Sequence, residues 1–275
     1  MRAGVGEKIG EGASADIHVW GPGQIVKLFK ADVSPRLGPH EARMTRAAFA
    51  AGAPAPEVLD EVTLEGRFGI VLPRFDGPTL LQLLMTRAMT HEQVGATLAT
   101  LYRSVHEVTA PPDVVSLRDW MDAVSRRSGD VLPKDIARRV LGMIDHLPPG
   151  DGLCHADLHP GNVIMTADGP RIIDWAGAIR AHFVVDIGRC HVTLSELVPE
   201  GADPEPPRAI NAAVQSQYAR LAGMSLAELT ATMRPFLPVL RALVLFQRRP
   251  TSPAQQARLI ERIAAALPVS HSPIA

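Results

Sequence analysis

Along the first 73 residues, apolar positions recur at the two-residue spacing of strands. Residues 5–9, 17–20 and 24–30 are short runs of β-branched or apolar residues separated by glycine. The third alternates, with Ile25, Lys27 and Phe29 on one face and Val26 and Leu28 on the other. The pattern then predicts a helix at about 40–51, closed by Gly52 and a proline-rich stretch, and strands at 58–64 and 68–72. Arg74-Phe75-Asp76-Gly77-Pro78 reads as a turn or linker, and beyond it the apolar spacing becomes helical. Thr90 and Gln93 form a capping-box signature ahead of Val94, Leu98, Leu101 and Val105, and further helices are predicted at 117–127 and 134–146. Residues 151–174 break this texture. The 152–158 segment reads as a loop, and 163–165 and 171–173 as very short strands around an Asp168-Gly169 hairpin turn. The rest is helical, with a Ser225/Glu228 capping box, a Ser252-Pro253 helix start and a loop at 198–207.

Composition narrows the class. A chain of 275 residues, 46 % hydrophobic and 21 % charged, can bury a substantial core. A net charge of −1 gives no field that would draw nucleic acid or an anionic membrane. Two cysteines, Cys154 and Cys190, suit a reducing cytosol better than a disulfide scaffold. Residues 1–12 hold no apolar core of signal-peptide length, and the apolar runs stop short of the ~20 residues a membrane span needs. A cytoplasmic protein is expected; the sequence leaves oligomeric state open.

The 28 basic residues include only four lysines, Lys8, Lys27, Lys30 and Lys134, so a lysine inside an apolar run needs a reason. Lys27, between Val26 and Leu28, must find a partner or stay exposed. Glu41 in the following helix is the natural partner, although a carboxylate near a helix start also suits the macrodipole. Lys30, at the strand end, reads as a solvated surface residue. Gly10-Glu11-Gly12-Ala13-Ser14-Ala15 falls between the first two strands, where glycines let backbone N–H groups approach an anion closely; a simple hairpin turn explains the same residues.

The densest chemistry is Cys154-His-Ala-Asp-Leu-His-Pro-Gly-Asn-Val-Ile-Met165 followed by Ile172-Ile-Asp-Trp175. It sets Asp157, Asn162 and Asp174 on a loop and a tight hairpin. Phosphoryl transfer needs a carboxylate to orient a hydroxyl and accept its proton, and hard oxygen ligands to hold Mg²⁺ against a triphosphate. Each residue alone is an ordinary loop residue; the joint order H-x-D-x-x-x-x-N, strand, hairpin, strand, Asp is far more specific. Cys154 reads as a small buried residue rather than a reactive thiol.

This motif pair resembles the catalytic and metal-binding loops of the aminoglycoside phosphotransferase and choline kinase superfamily, whose fold is similar to that of protein kinases. The resemblance spans nearly the whole chain. It implies an α+β, bilobal, protein-kinase-like fold: a small N-terminal lobe at 1–73 with an antiparallel sheet and one main helix, a hinge at 74–78, and a larger, mainly helical C-terminal lobe at 79–275 with the catalytic loop and acceptor site. It implies Asp157 as catalytic base, Asn162 and Asp174 as Mg²⁺ ligands, and His155 as a packing residue bracing the loop; His159 is conformational in this reading. ATP, or GTP, is the implied donor. Gly10, Gly12 and Ser14 would cover its phosphates, Lys27 would reach them, Glu41 would orient Lys27, and backbone groups around Leu72 to Arg74 would meet the base. Asp186 matches an aspartate that braces the catalytic loop, with an ordinary N-cap as the competing explanation, and His106 matches a histidine with a core-packing role. One departure is that Ala176 and Gly177 follow the Asp174-Trp175 pair where an acidic residue is common.

Only eleven residues separate Asp174 from Asp186, which leaves no room for a peptide-docking platform. The implied acceptor is therefore a hydroxyl on a small molecule. Antibiotic modification is the leading expectation, with an amino alcohol, sugar or nucleoside as alternatives. Residues 187–275 carry six acids against nine arginines, a balance that runs against a heavily cationic acceptor. A non-catalytic nucleotide-binding protein of the same fold is the competing class, but it predicts a missing base, lysine or metal ligand, and all are present.

Overall fold

The computed structural model describes residues 5–247 and 252–267. Arg248 and Arg249, two of the arginines in that balance, lie outside the described residues, as do residues 268–275.

The N-terminal portion is a five-stranded antiparallel sheet in the order β1-β2-β3-β5-β4, formed by β1 (Lys8–Glu11), β2 (Ala15–Gly21), β3 (Gln24–Phe29), β4 (Asp60–Leu64) and β5 (Arg67–Pro73). The first strand starts later than the apolar pattern suggests. Residues 6 and 7 still pair with Val19, through Gly6 N–H to the Val19 carbonyl and Val19 N–H to the Glu7 carbonyl, but a register shift follows Lys8. Helix α1 (Leu37–Ala50) begins three residues before the predicted start. Pro39 is tolerated in its first turn because that N–H has no helical partner, and Gly38 is required by packing: a Cβ there would lie 2.4 Å from the Phe68 ring. The alternation in β3 holds. Ile25 and Phe29 join Ile70, Leu72 and Ala42 in the core beneath α1, while Val26 is fully buried on the opposite face.

After Pro73 the chain passes through 74–78 into helices: α2 (Leu80–Met85), α3 (His91–His106), α4 (Leu117–Ser128) and α5 (Lys134–Ile144). Thr79 and Thr90 each close a capping box, with Gln82 and Gln93. Then come two small sheets. Strand β6 (Gly152–Cys154) pairs with β9 (Ile179–Ala181), and β7 (Val163–Thr166) pairs with β8 (Gly169–Ile172) around the expected Asp168-Gly169 turn. The 152–158 loop thus begins as a strand. The remaining helices are α6 (Val184–Glu196), α7 (Glu205–Leu221), α8 (Leu226–Met233), α9 (Leu237–Phe246) and α10 (Pro253–Ala266). Helix α7 takes in the end of the predicted 198–207 loop, since Pro206 and Pro207 fall in its first turn, where proline costs nothing.

Helix α3 crosses α7 at Gly95, where a Cβ would sit 2.6 Å from the Ile210 carbonyl oxygen and 2.6 Å from the Ala213 Cβ. One sequence expectation needs correction. Residues Leu226–Phe246 form a single run, α8 through a 3-10 turn into α9, long and apolar enough by composition to cross a membrane. Most of it is buried in the protein's own core, with Val239 to Phe246 packed against α4, α6 and α10 apart from Arg241.

Candidate active site

A cavity of about 670 Å³ opens between the sheet and the helical portion, a size ordinary for a small-ligand site. Gly10, Gly12, Ser14, Lys27, Glu41, Leu72, Arg74, Asn162 and Asp174 all line it. The nine residues expected to meet nucleotide or metal are thus gathered from six segments onto one surface. Asp157 does not line this cavity. It stands next to it, behind Asn162, whose side-chain amide donates to the Asp157 carbonyl (3.0 Å).

The glycine loop joins β1 to β2, closed by the Gly12 N–H donating to the Ala15 carbonyl (2.8 Å). Neither crowding nor positive φ demands glycine here: a Cβ on Gly10 or Gly12 would meet neighbours only at 3.4 to 3.5 Å. What the missing side chains do is leave the backbone open to the cavity. Lys30 stays at the surface, as expected, and reaches back to Glu11 on this loop (3.1 Å), linking the end of β3 to the hairpin.

On β3, Lys27 Nζ donates to Glu41 Oε1 at 2.5 Å and lies 3.4 Å from Asp174 Oδ1. Its side chain is 12 % exposed and that of Glu41 5 %. Burial alone would lower the lysine pKa, and the two carboxylates more than reverse this, so the ammonium is held above its ordinary value. Burial pushes the Glu41 carboxyl up and Lys27 pulls it back, and at this distance the charged pair is the form the geometry fixes. Asp174 sits at φ 65°, ψ 65°, in the left-handed region that a non-glycine residue occupies only when its surroundings hold it there. Those surroundings include His40, whose Nε2 bonds the Ala176 carbonyl (3.0 Å), coupling the start of α1 to the loop after Asp174.

At the edge of β5, Leu72 pairs with Ile25, Pro73 has no N–H, and the Arg74 N–H already donates to the Gly23 carbonyl (2.8 Å). The Arg74 amide is therefore committed to the sheet, which the sequence could not reveal.

The segment from His155 to Asn162, expected from the sequence to be the catalytic loop, is held from below. Asp186, at the third position of α6 and so not an N-cap, accepts from the His155 N–H (2.9 Å), the Ala156 N–H (2.7 Å) and His106 Nε2 (3.1 Å). Burial opposes its ionisation, but these donors hold its carboxyl below the ordinary range. Ala156 is itself left-handed, at φ 57°. His106, expected only to pack, also bonds the Tyr218 hydroxyl through Nδ1 (2.8 Å). His155 is fully buried, edge-on to Trp175. Its Nδ1 accepts from the Asp157 N–H (3.2 Å), which leaves Nε2 to donate to the Ile173 carbonyl (3.2 Å). Burial lowers its pKa and keeps it neutral, so it is a brace with no proton to spare. His159 Nδ1 accepts from the Gly161 N–H and shapes the turn before Asn162. The Cys154 thiol is buried and pushed well up by desolvation. Arg189, which the sequence did not single out, donates from Nη2 to Asp157 Oδ1 at 2.8 Å.

A two-lobed kinase-like fold, with a buried lysine–glutamate pair facing an aspartate and an asparagine across a nucleotide-sized cleft, defines a phosphotransferase of the kinase class. The phosphotransferase enzyme family model matches residues 5–224, and the chain belongs to that family. It is an enzyme that transfers phosphoryl groups to small-molecule hydroxyls. No curated protein sequence matches it. Among solved structures it is similar to a thermostable mutant of aminoglycoside phosphotransferase APH(4)-Ia in ternary complex with AMP-PNP and hygromycin B, at 20 % identity, TM-score 0.58, covering 94 % of this chain and 92 % of that one. It is similar to an aminoglycoside-3'-phosphotransferase of type VIII at 22 % identity, TM-score 0.57, covering 87 % and 91 %. A choline/ethanolamine kinase family protein from Mesorhizobium loti matches at 17 % identity, TM-score 0.53, covering 99 % and 90 %. At these identities the likeness speaks to the fold alone.

Proposed function

We propose that this protein transfers the γ-phosphoryl group of ATP, or GTP, in a Mg²⁺-dependent reaction to a hydroxyl of a small molecule held against Asp157. The observation that carries this is the convergence of Lys27, Glu41, Asn162 and Asp174 with the glycine loop on one cavity. Lys27 and the open backbone of Gly10 to Ser14 hold the phosphates, and Glu41 keeps the ammonium aimed. With the Arg74 amide committed to Gly23, the base is met by the Leu72 to Phe75 groups that remain.

The Asp174 carboxylate and the Asn162 amide offer the hard oxygen donors that Mg²⁺ takes, and both line the cavity beside Lys27. Mg²⁺ bound there would neutralise phosphate charge. Asp157 accepts the acceptor's hydroxyl proton as that oxygen bonds to the γ-phosphorus. The bond to the β–γ bridging oxygen breaks, the nucleoside diphosphate departs, and the proton passes from Asp157 to solvent.

An aminoglycoside-like antibiotic is the first acceptor class to test, in keeping with the solved neighbours. One observation favours a neutral acceptor such as a sugar or nucleoside. Glu196, a buried acid at the end of α6, is neutralised by Arg241 (2.9 Å) and Arg262 (3.0 Å), and Arg189 lies against Asp157, so neither carboxylate offers an uncompensated negative charge to a polycation.

The test is turnover of Mg-ATP and Mg-GTP with a panel of aminoglycosides, amino alcohols, sugars and nucleosides, alongside two variants. Asp157→Ala abolishes acceptor-stimulated turnover and spares the nucleotide-induced thermal shift, whereas Asp174→Ala also removes the Mg²⁺-dependent part of that shift. Turnover unchanged in Asp157→Ala would refute the assignment of the base, and equal shifts in both variants would refute Asp174 as a metal ligand.

A further inference from the structure

We propose that Arg189 is a positioning residue for the transfer step, fixing the Asp157 carboxylate through α6; this rests on the reading of Asp157 as the base. Asp186 and Arg189 are three residues apart on α6, so they project from one face of that helix. Asp186 takes the amides of His155 and Ala156, and Arg189 takes Oδ1 of the next residue, Asp157. One helix face therefore grips three consecutive loop residues, two by backbone and the third by the side chain that does the chemistry.

The guanidinium is itself immobilised. Arg189 is 7 % exposed, and the same Nη2 that reaches Asp157 also donates to Gln247 Oε1 (3.1 Å) just beyond α9. Helix α6 can approach α9 closely because residue 188 is glycine, where a Cβ would stand 2.4 Å from Leu240 Cδ1. The Arg189 Nε is buried with no hydrogen-bond partner among the described residues. A buried arginine with an unmatched donor is a poor device for stability, since well-packed apolar side chains serve at least as well. Its geometry makes sense as a means of aiming a carboxylate, because a base works only within hydrogen-bond reach of the proton it takes.

The competing account is a salt bridge that only supports the fold. Two substitutions separate them: Arg189→Met, which keeps length and apolar bulk, and Arg189→Lys, which keeps charge without the fork. Turnover is measured as Mg-ATP hydrolysis with water as acceptor, together with whichever panel compound stimulates the wild type. Arg189→Met lowers kcat about tenfold to hundredfold while KM for ATP stays within about twofold, and Arg189→Lys recovers part of the loss. Amide hydrogen exchange reads the same contact without turnover: residues 155–162 exchange faster in Arg189→Met, and α3 amides do not. A kcat within about twofold of wild type in Arg189→Met overturns the proposal. So does a kcat loss matched by lost ATP affinity, or unchanged exchange at 155–162. A wild-type protein with no turnover of ATP on any acceptor counts against the phosphotransfer reading instead, and the exchange result still decides whether Arg189 holds the loop.

Discussion

Substituting Asp186 by asparagine probes how the loop beneath the site is held. The carboxylate is 2 % exposed and accepts three bonds, from the His155 amide, the Ala156 amide and His106. Asparagine keeps one acceptor oxygen and turns the other position into a donor that faces a donor. Losing a hydrogen bond to a charged group costs about 1.5 to 3 kcal/mol, and leaving a buried amide unsatisfied costs about 1 to 3 kcal/mol. Ala156 adds to the problem. Its left-handed backbone is intrinsically unfavourable by about 1 to 2 kcal/mol, and the Asp186 bond to its N–H helps to hold it there. The net expectation is a loss of about 3 to 5 kcal/mol, a large part of the roughly 5 to 15 kcal/mol a domain commands. Urea denaturation followed by circular dichroism measures it as a lowered midpoint. Asp186 touches none of the cavity-lining residues proposed to hold nucleotide, so the folded fraction of Asp186→Asn is expected to retain its nucleotide-induced thermal shift while turnover falls. A midpoint change worth less than about 0.5 kcal/mol, the range of an ordinary surface substitution, would refute the bracing argument. So would loss of nucleotide binding with the fold intact.

Gly95→Ala drives a methyl group into the Ile210 carbonyl and Ala213 where α3 crosses α7; overpacking of this kind costs about 1 to 3 kcal/mol, read as a lowered Tm with little change in nucleotide affinity. The pH dependence of stability has a definite sign. Burial lowers the pKa of His40, His155, His182 and His191, so the unfolded chain takes up protons at these positions before the folded one does. Their contribution is complete above the unfolded value of about 6.5 and is lost as pH falls through the lower folded values. Tm in the absence of nucleotide is therefore expected to fall between pH 7.5 and 5; a flat or rising Tm over that window would contradict it.

The order of elements was legible because strand alternation, capping boxes and hairpin turns are written in residues next to one another. Asp157, Asn162 and Asp174 could be read as a group for the same reason, since a loop and one short hairpin span them. Lys27 was legible through the cost of burying a charge, which singled it out in an apolar strand of a lysine-poor chain. Other features needed the tertiary structure. Arg189 meets Asp157 across 32 residues, and nothing local distinguishes it from the other arginines of the C-terminal helices. His40 meets the Ala176 carbonyl across 136 residues. Asp186 could be told from an N-cap only once α6 was seen to begin at Val184 with the carboxylate turned toward the 155–156 amides. The apolar 226–246 run looked interrupted in sequence because Arg234, Pro235 and Pro238 break its composition, whereas the chain stays helical through the 3-10 turn at Arg234–Phe236. Neighbouring residues thus determined which elements form and which residues can do chemistry. How those residues are aimed was decided by helix packing, down to the single glycine that lets α6 approach α9, because a side chain's direction depends on the position of an element it does not itself belong to.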